Sequence, residues 1–268
     1  MANSYSLTVI NNSELDNPEF AVFATLPLQA DYESVGLAWL VQQINGGNRY
    51  VFTWDITWGF VWTATGTREG YQWSATGSLP ANPLADGECA VTFDYNGDFV
   101  LTPSTGTPDG STLWIKDTTT IPLPKNKPSS VGISLDGSAA CVTDAGPNLH
   151  QIFTLHPTYY IDAGNYVQGQ MVDGTSVTEF QVLEYAAGIT ALTATLDEDN
   201  TWTVEPSSSI DFSEMGRGSA EVGGGRRGAC YRKTDCEGTP FKTNVTEAKC
   251  RNMGGKSWQS PSGSCFEQ

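Results

Sequence analysis

The chain has 268 residues, of which 16% are charged and 11% aromatic, and this length allows a sizeable hydrophobic core. Abundant Thr, Gly and Ser favour pleated sheets with glycine-rich turns over helices. Residues 1–215 hold 25 acidic and 5 basic side chains (net −20), whereas residues 216–268 hold 5 acidic and 9 basic ones (net +4). An acidic body repels nucleic acid and anionic lipid, so neither is an expected partner.

Membrane insertion and classical secretion both lack a signal in the sequence. No apolar run approaches the roughly 20 residues that span a bilayer. The first residues carry neither the basic region nor the apolar region of a secretion signal. Export, where it occurs, is therefore expected to follow a non-classical route.

The first 44 residues predict a hairpin followed by one helix. Apolar residues alternate with other residues over 5–9 and again over 20–24, on either side of the turn residues 11–13, which predicts a long hairpin. Residues 35–44 break the two-residue period and precede Asn45-Gly46-Gly47. They are predicted to form either the one short helix of the chain or a continuous buried strand, and we favour the helix.

Residues 52–62 predict the clearest strand. Large apolar side chains occupy every even position: Phe52, Trp54, Ile56, Trp58, Phe60 and Trp62. In one long strand these side chains would share one face, and the favoured interpretation is that this face is core. The alternative is an aromatic platform for sugars, because stacking needs large flat rings. The candidate ligand-binding residues on this interpretation are Trp54, Trp58, Trp62, Tyr159 and Tyr160.

The sequence repeats itself once at a spacing of about 101–103 residues. Phe52-Thr53 with Thr57-Trp58 recurs as Phe153-Thr154 with Thr158-Tyr159, and residues 93–103 match residues 196–206. Gene duplication explains both matches, and chance similarity of strand–turn–strand patterns is the rival explanation. A duplication over about 1–103 and 104–215 would give two similar sheets, packed as one sandwich or as two adjacent ones.

One turn resembles a calcium loop. Asp94, Asn96 and Asp98 place oxygen side chains at alternate positions, as calcium ligands require. Glycine falls at the fourth position of this loop instead of the sixth, and no Glu closes it, so a hairpin turn at Asn96-Gly97 is the preferred interpretation.

The C-terminal region differs from the body. Residues 216–229 are rich in glycine and predict a flexible linker. The following module, residues 230–268, has no His and no Cys-x-x-Cys spacing, which disfavours zinc and favours two disulfides of undetermined pairing. These bonds would join four cysteines: Cys230, Cys236, Cys250 and Cys265. Cys89 and Cys141, one in each repeat, either pair or are buried free thiols, and we favour the free state.

Catalytic signatures are missing from the sequence. It contains no nucleophile elbow, phosphate-binding loop, dinucleotide fingerprint or zinc-protease helix. The chain is therefore expected not to be an enzyme and to use no cofactor.

Several phrases together carry a family resemblance. YSLTVINNS (5–13), GLAWLV (36–41), FTWDITWGFVWTATG (52–66), LWIK (113–116) and PNLHQIFTLHPTYYIDAGNYVQGQ (147–170) resemble the bacterial rhizosphere-induced (RhiA-like) protein family of the quorum-regulated rhi operon. The likeness covers about residues 4–206. It implies an abundant protein with an interaction role under population control and no established enzymatic activity. The family provides no functional residues that can be assigned here.

The C-terminal segment GACYRKTDCEG…VTEAKCRNMGGKSWQSPSGSC is similar to a short Cys module appended to bacterial extracellular proteins. That likeness implies an oxidising destination. The expected location is therefore extracellular or at the cell surface, with the cytoplasm as the alternative.

The sequence as a whole predicts an all-β protein. We expect an antiparallel β-sandwich body over residues 1–215, built of two related halves if the repeat is a duplication, and a tethered disulfide-rich module. The expected function is non-enzymatic binding of a glycan or another cell-surface ligand. The alternative is a structural subunit that assembles with copies of itself into a filament or matrix through strand edges and the C-terminal tail.

Overall fold

A computed structural model describes most of the body and parts of the tail. The described residues are 4–29, 34–68, 70–172, 180–207, 228–231, 233, 242–245, 257–259 and 265–267. Every regular element among them is a β-strand, which confirms the predicted all-β class.

The strands are numbered in chain order. They are β1 (Ser4–Asn11), β2 (Glu19–Thr25), β3 (Leu28–Gln29), β4 (Val35–Gln43), β5 (Asn48–Asp55), β6 (Trp58–Thr63), β7 (Gly77–Ala81), β8 (Ala90–Tyr95), β9 (Phe99–Ser104), β10 (Thr112–Asp117), β11 (Ser130–Leu135), β12 (Ser138–Asp144), β13 (His150–Thr154), β14 (Thr158–Gly164), β15 (Met171–Val172), β16 (Gln181–Leu183), β17 (Ala191–Leu196), β18 (Trp202–Pro206), β19 (Gly228–Tyr231), β20 (Lys242–Val245), β21 (Ser257–Gln259) and β22 (Cys265–Glu267).

Three sheets form the described part of the body. A nine-stranded sheet has the order β16-β14-β2-β4-β12-β11-β6-β7, with β15 paired to β4 outside that path. A four-stranded sheet has the order β18-β17-β1-β5, and a five-stranded sheet has the order β3-β13-β10-β8-β9. Pairing is antiparallel except for β1 with β17 and β10 with β8. The described tail strands form their own sheet in the order β20-β19-β21-β22, and β19 begins inside the predicted linker.

Two hydrophobic cores hold the sheets together. The first core joins the four-stranded sheet, through residues such as Leu7 and Leu192, to Phe20 and Trp39 of the nine-stranded sheet. The second core joins the five-stranded sheet, through residues such as Phe93, to the half of the nine-stranded sheet that contains β6 and β11. Burial of each large apolar side chain contributes about 1.5–3 kcal/mol, so these cores are the main source of stability.

The strand order has an internal two-fold correspondence. It matches β1 with β10, β2 with β11, β4 with β12, β5 with β13, β6 with β14, β7 with β16, β8 with β17 and β9 with β18. With this matching the main path of the nine-stranded sheet reads the same from both ends. The order β18-β17-β1-β5 likewise becomes β9-β8-β10-β13, including the parallel pair. This is the pattern that a duplication would produce.

The two halves exchange hairpins, so they do not form separate sheets as the repeat had suggested. The β8–β9 hairpin of the first half joins β10 and β13 of the second. The β17–β18 hairpin of the second half joins β1 and β5 of the first. Each outer sheet therefore contains strands from both halves.

The helix predicted over residues 35–44 is wrong. Residues 35–43 form β4, which pairs with β12 on one side and with β2 and β15 on the other. A register shift beside β2 between Val22 and Phe23 disturbs the alternation of side chains. That irregularity at the centre of a buried sheet explains why the segment lacks a two-residue period.

The predicted N-terminal hairpin is also wrong, because β1 and β2 belong to different sheets. The side chain of Asn11 shapes the turn between them: its Oδ1 accepts hydrogen bonds from the backbone N and the Oγ of Ser13, at 2.9 and 2.6 Å. The alternation of apolar side chains predicted both strands but not their partners, because a two-residue period carries no information about which strands pair.

Residues 52–62 form the end of one strand and most of a second, instead of one strand. The chain bends at Ile56-Thr57, where the Thr57 N–H donates to the carbonyl of Asp55 at 2.9 Å, and crosses from the four-stranded to the nine-stranded sheet. The even positions still point inward on both sides of the bend, because both strands line the space between sheets. The core interpretation of the rings therefore agrees with the structure.

Corresponding positions at the ends of β1 and β10 hold Asn11 and Asp117, both buried. Both polar atoms of the Asn11 amide make hydrogen bonds, because its Nδ2 also donates to the carbonyl of Ile44 at 2.6 Å. Asp117 accepts at Oδ2 from the Gly146 N–H and from Gln151 Nε2, each at 2.9 Å, but its Oδ1 has no partner. Burial raises the pKa of Asp117 to about 7, against the opposing effect of the Gln151 and Gly146 hydrogen bonds.

Asp117→Asn should stabilise the protein at neutral and alkaline pH. Because the folded-state pKa of Asp117 is raised, the folded chain holds a proton that the unfolded chain has lost between about pH 4 and 7, and the free energy of unfolding falls as pH rises through that window. The substituted amide would carry no charge, so we expect a gain of about 1–3 kcal/mol at pH 8 and little gain at pH 4. Urea unfolding at the two pH values measures it.

The matched control is the reverse change in the other half. Asn11→Asp removes the amide donor to Ile44 and buries a carboxylate, so it should destabilise the protein more at pH 8 than at pH 4. Equal effects of Asp117→Asn at both pH values would show that the pKa of Asp117 is not raised in the folded chain.

Candidate functional site

The five predicted ring residues do not share one exposed face. Trp54 and Tyr159 lie in the first core, only 2% and 5% exposed, with ring centroids 5.3 Å apart. Trp58 is half-buried against both cores, and Trp62 packs on Phe93. Tyr160 packs on the opposite face of the nine-stranded sheet. The structure therefore gives no aromatic platform made of these five residues.

Trp54 and Tyr159 belong to a packed aromatic cluster with Tyr5 and Tyr185. Every pair of these four rings has centroids between 5.1 and 6.4 Å apart, which leaves no space for a ligand between them. Tyr185 donates from its hydroxyl to the carbonyl of Ser6 at 3.0 Å. Trp54 Nε1 and the Tyr159 hydroxyl are buried without a hydrogen-bond partner. Burial raises the pKa of Tyr159 to about 12, so its hydroxyl stays neutral.

The calcium candidates form a hairpin turn between β8 and β9. Gly97 has a positive φ of 87°, and the Asn96 N–H donates to the carbonyl of Asp98 at 3.1 Å. Asp94 accepts hydrogen bonds from the hydroxyls of Thr118 and Thr120, which lower the pKa of its carboxyl. Within the described part of the chain, no group of three or more His, Cys, Asp or Glu side chains could hold a metal ion. The turn interpretation is the one that these contacts favour.

The cysteine predictions have different outcomes. Cys89 and Cys141 are both buried and free, as we favoured. Of the four tail cysteines, only Cys265 has a described side chain. The pairing among Cys230, Cys236, Cys250 and Cys265 lies outside the described residues and stays a prediction.

A polar depression lies on the outer face of the four-stranded sheet. Leu192, Ala194 and Leu196 of β17 point into the first core. The alternate residues of β17 therefore point outward, and with two residues of β18 they line a depression of about 270 Å³. Its lining consists of Thr193, Thr195, Asp197, Thr203 and Glu205. We call this surface the hydroxyl face.

The hydroxyl face presents oxygen atoms that both donate and accept hydrogen bonds. Thr203 Oγ1 donates to Asp197 Oδ2 at 3.4 Å, and the Thr193 and Ser207 hydroxyls are 2.8 Å apart. Thr8 of β1 pairs with Thr193, so it lies on the same face. Thr8 is 7% exposed, and its hydroxyl has no partner. The face therefore offers hydroxyl and carboxylate groups to a ligand rich in hydrogen-bond donors and acceptors.

The matching face of the five-stranded sheet has diverged. Ala90 and Thr92 correspond to Thr193 and Thr195, and Trp114 and Lys116 stand where the four-stranded sheet has Thr8 and Ile10. Lys116 Nζ lies 5.8 Å from the Trp114 ring centroid. The two related faces therefore differ most at β1 and β10, where Trp114 and Lys116 replace Thr8 and Ile10.

The hydroxyl face was missed in the sequence, although a signal was present. Residues 191–196 read ALTATL, with apolar residues at the even positions and two threonines at odd ones. Such alternation predicts a strand with one hydroxyl-bearing face. The pairing of that strand with β18 and β1 assembles the face, and pairing is not visible in the pattern.

The fold and the site define an all-β protein with exchanged hairpins and an oxygen-lined face on one outer sheet. No solved structure matches the chain. The chain belongs to the RhiA family, whose family model matches residues 2–207. Protein RhiA of Rhizobium leguminosarum bv. viciae is 33% identical over 207 residues, which cover 75% of this chain and 86% of that protein. The match confirms the resemblance found in the sequence and ends where the described body ends.

The membrane question has a separate structural observation. In the ranges that the structure describes, there is no helix with the length and apolar character needed to cross a bilayer.

Tyr159→Phe tests the structural interpretation of the aromatic cluster. The Tyr159 hydroxyl is buried without a partner, so its removal should leave the free energy of unfolding unchanged or raise it by up to about 1 kcal/mol. Urea unfolding of the wild type and the variant measures the difference. A loss of more than about 1 kcal/mol would mean that the hydroxyl makes a stabilising hydrogen bond.

Proposed function

We propose that this RhiA-family protein is a non-enzymatic binding protein whose hydroxyl face recognises a hydroxyl-rich ligand such as a glycan of a cell surface. The observation that carries the proposal is the depression lined by hydroxyl and carboxylate side chains on the outer face of the four-stranded sheet. We place its action outside the cell or at the cell surface, with the appended Cys module as the support for that location.

The chemistry of the lining favours sugars. Threonine hydroxyls donate and accept, whereas Asp197 and Glu205 accept two or more hydrogen bonds each, which matches the vicinal hydroxyls of a sugar. Bonds to carboxylates are about twice as strong as neutral ones. The buried, unpartnered hydroxyl of Thr8 adds one more group beside Thr193.

The same lining predicts modest affinity at a single site. No aromatic ring lines the depression, so stacking would not contribute there. Each neutral hydrogen bond adds only about 0.5–1.5 kcal/mol net. Useful binding to a surface would then require several sites acting together.

A paired variant with a matched control tests the proposal. Thr193→Val with Thr195→Val removes two hydroxyls from the face and keeps the side-chain shape and strand preference. Binding in a glycan array should weaken by about tenfold or more, as expected from two lost hydrogen bonds. The control is Thr92→Val with Thr102→Val, which lie outward on the related five-stranded sheet and should leave binding unchanged.

Two results of the same glycan array would contradict the proposal. No binding of the wild-type chain across a broad array would remove glycans as the ligand class. Equal losses in the variant and in its control would place the binding site elsewhere on the body.

A further inference from the structure

Of the seven edge strands in the described body, six are protected against pairing with another chain. The edges β7, β9 and β18 contain Pro80, Pro103 and Pro206, and β3, β15 and β16 have only two or three residues. Proline and short length are ways in which proteins keep edges from pairing. The remaining edge, β5, has eight residues and no proline, and β1 is its one strand neighbour in the described chain.

The free edge of β5 carries the backbone groups of its odd residues. The Ser6 N–H donates to the carbonyl of Thr190, so the even residues of β1 bond to β17 and its odd residues bond to β5. Leu7 and Val9 therefore bond with their partners Phe52 and Tyr50. Four N–H groups of β5 therefore point away from the sheet, those of Arg49, Val51, Thr53 and Asp55. The carbonyls of the first three residues point the same way, whereas the carbonyl of Asp55 accepts a hydrogen bond from the Thr57 N–H.

The related strand β13 shows what such an edge accepts. Its residues Ile152 and Phe153 pair with the short strand β3, and the Thr154 N–H donates to the carbonyl of Pro27 at 2.9 Å. The second half has no counterpart of β3, because β11 and β12 are joined directly through Asp136-Gly137. No described residue thus occupies on β5 the positions that β3 occupies on β13.

We propose that two copies of this chain pair through β5, antiparallel and in one register, and this goes beyond the proposed binding function. Only the odd-numbered residues of β5 have outward backbone groups, so each of them must pair with an odd-numbered residue of the partner's β5 across the two-fold axis. The register that uses all four places Val51 opposite Thr53 of the partner subunit. It also places Arg49 opposite Asp55 of the partner subunit. Because the pair is two-fold symmetric, this contact occurs twice and gives two Arg–Asp ion pairs.

Two further features fit this pair. Tyr50 is 41% exposed, although its ring packs edge-on against Phe52 at 4.9 Å between centroids, and the partner strand would cover it. The paired strands would merge the two four-stranded sheets into one of eight strands. Val51 pairs with Thr8, so the two hydroxyl faces would lie on the same side of that sheet, ready for simultaneous binding to one surface.

Charge exchange tests the register on the full chain by sedimentation velocity over a concentration series. Arg49→Asp and Asp55→Arg should each weaken dimerisation by about tenfold or more, because each turns two attractive contacts into repulsive ones. The double variant restores opposite charges and should return to within about threefold of the wild type. Lys125→Asp changes the net charge as much as Arg49→Asp does, lies on an exposed loop, and should have no effect.

Thr53→Pro tests the edge itself. The Thr53 N–H points away from β1, so proline removes an intermolecular donor without breaking the sheet, and the chain should become monomeric. At concentrations too low for the wild type to dimerise, the variant and the wild type should have the same thermal midpoint. A wild-type chain that stays monomeric up to about 1 mM would overturn the proposal. A dimer that survives Thr53→Pro, or a double charge variant that is no tighter than the single ones, would overturn it too. If the Thr53→Pro variant is monomeric and still binds glycans, the result supports pairing through β5 and shows that glycan binding does not need the dimer.

Discussion

Each hydrophobic core combines side chains from both halves of the chain. The first core joins Leu192, Ala194 and Leu196 of β17 to strands of the first half, and the second core joins side chains of β8 and β9 to strands of the second half. Because burial of these side chains is the main stabilising term, neither half can keep its apolar surface from water without the other. The exchange thus makes two related sequences into one cooperative body.

The same exchange sets the neighbours of the surface on which the proposed function depends. All five residues that line the hydroxyl face belong to the β17–β18 hairpin of the second half, and the exchange places this hairpin beside Thr8 of β1 in the first half. Differences between the halves then give each face its own character. Thr8 in one sheet corresponds to Trp114 in the other, and β3 covers one strand edge but leaves its counterpart β5 open.

Local pattern predicted the elements well and their partners poorly. The even positions from Phe52 to Trp62 predicted inward-facing rings, and the repeats at 93–103 and 196–206 correspond to the matched hairpins β8–β9 and β17–β18. Pairing between β1 and β17 joins residues about 185 positions apart, which a two-residue period cannot reveal. The buried bulge in β4 removed the two-residue alternation of side chains, and the segment was therefore predicted to be a helix. The candidate site was missed for the same reason, since Thr193 and Thr203 become neighbours only through pairing.

The pairing between halves is the feature to measure first. Cross-strand contacts by nuclear Overhauser spectroscopy should join Thr8 to Thr193 and Lys116 to Thr92, as the parallel pairs β1–β17 and β10–β8 require. The backbone amides of these strands should also exchange with solvent as slowly as those of β11 and β12. Contacts that join β1 to β8 and β10 to β17 would instead place each hairpin within its own half, and would contradict the exchanged fold.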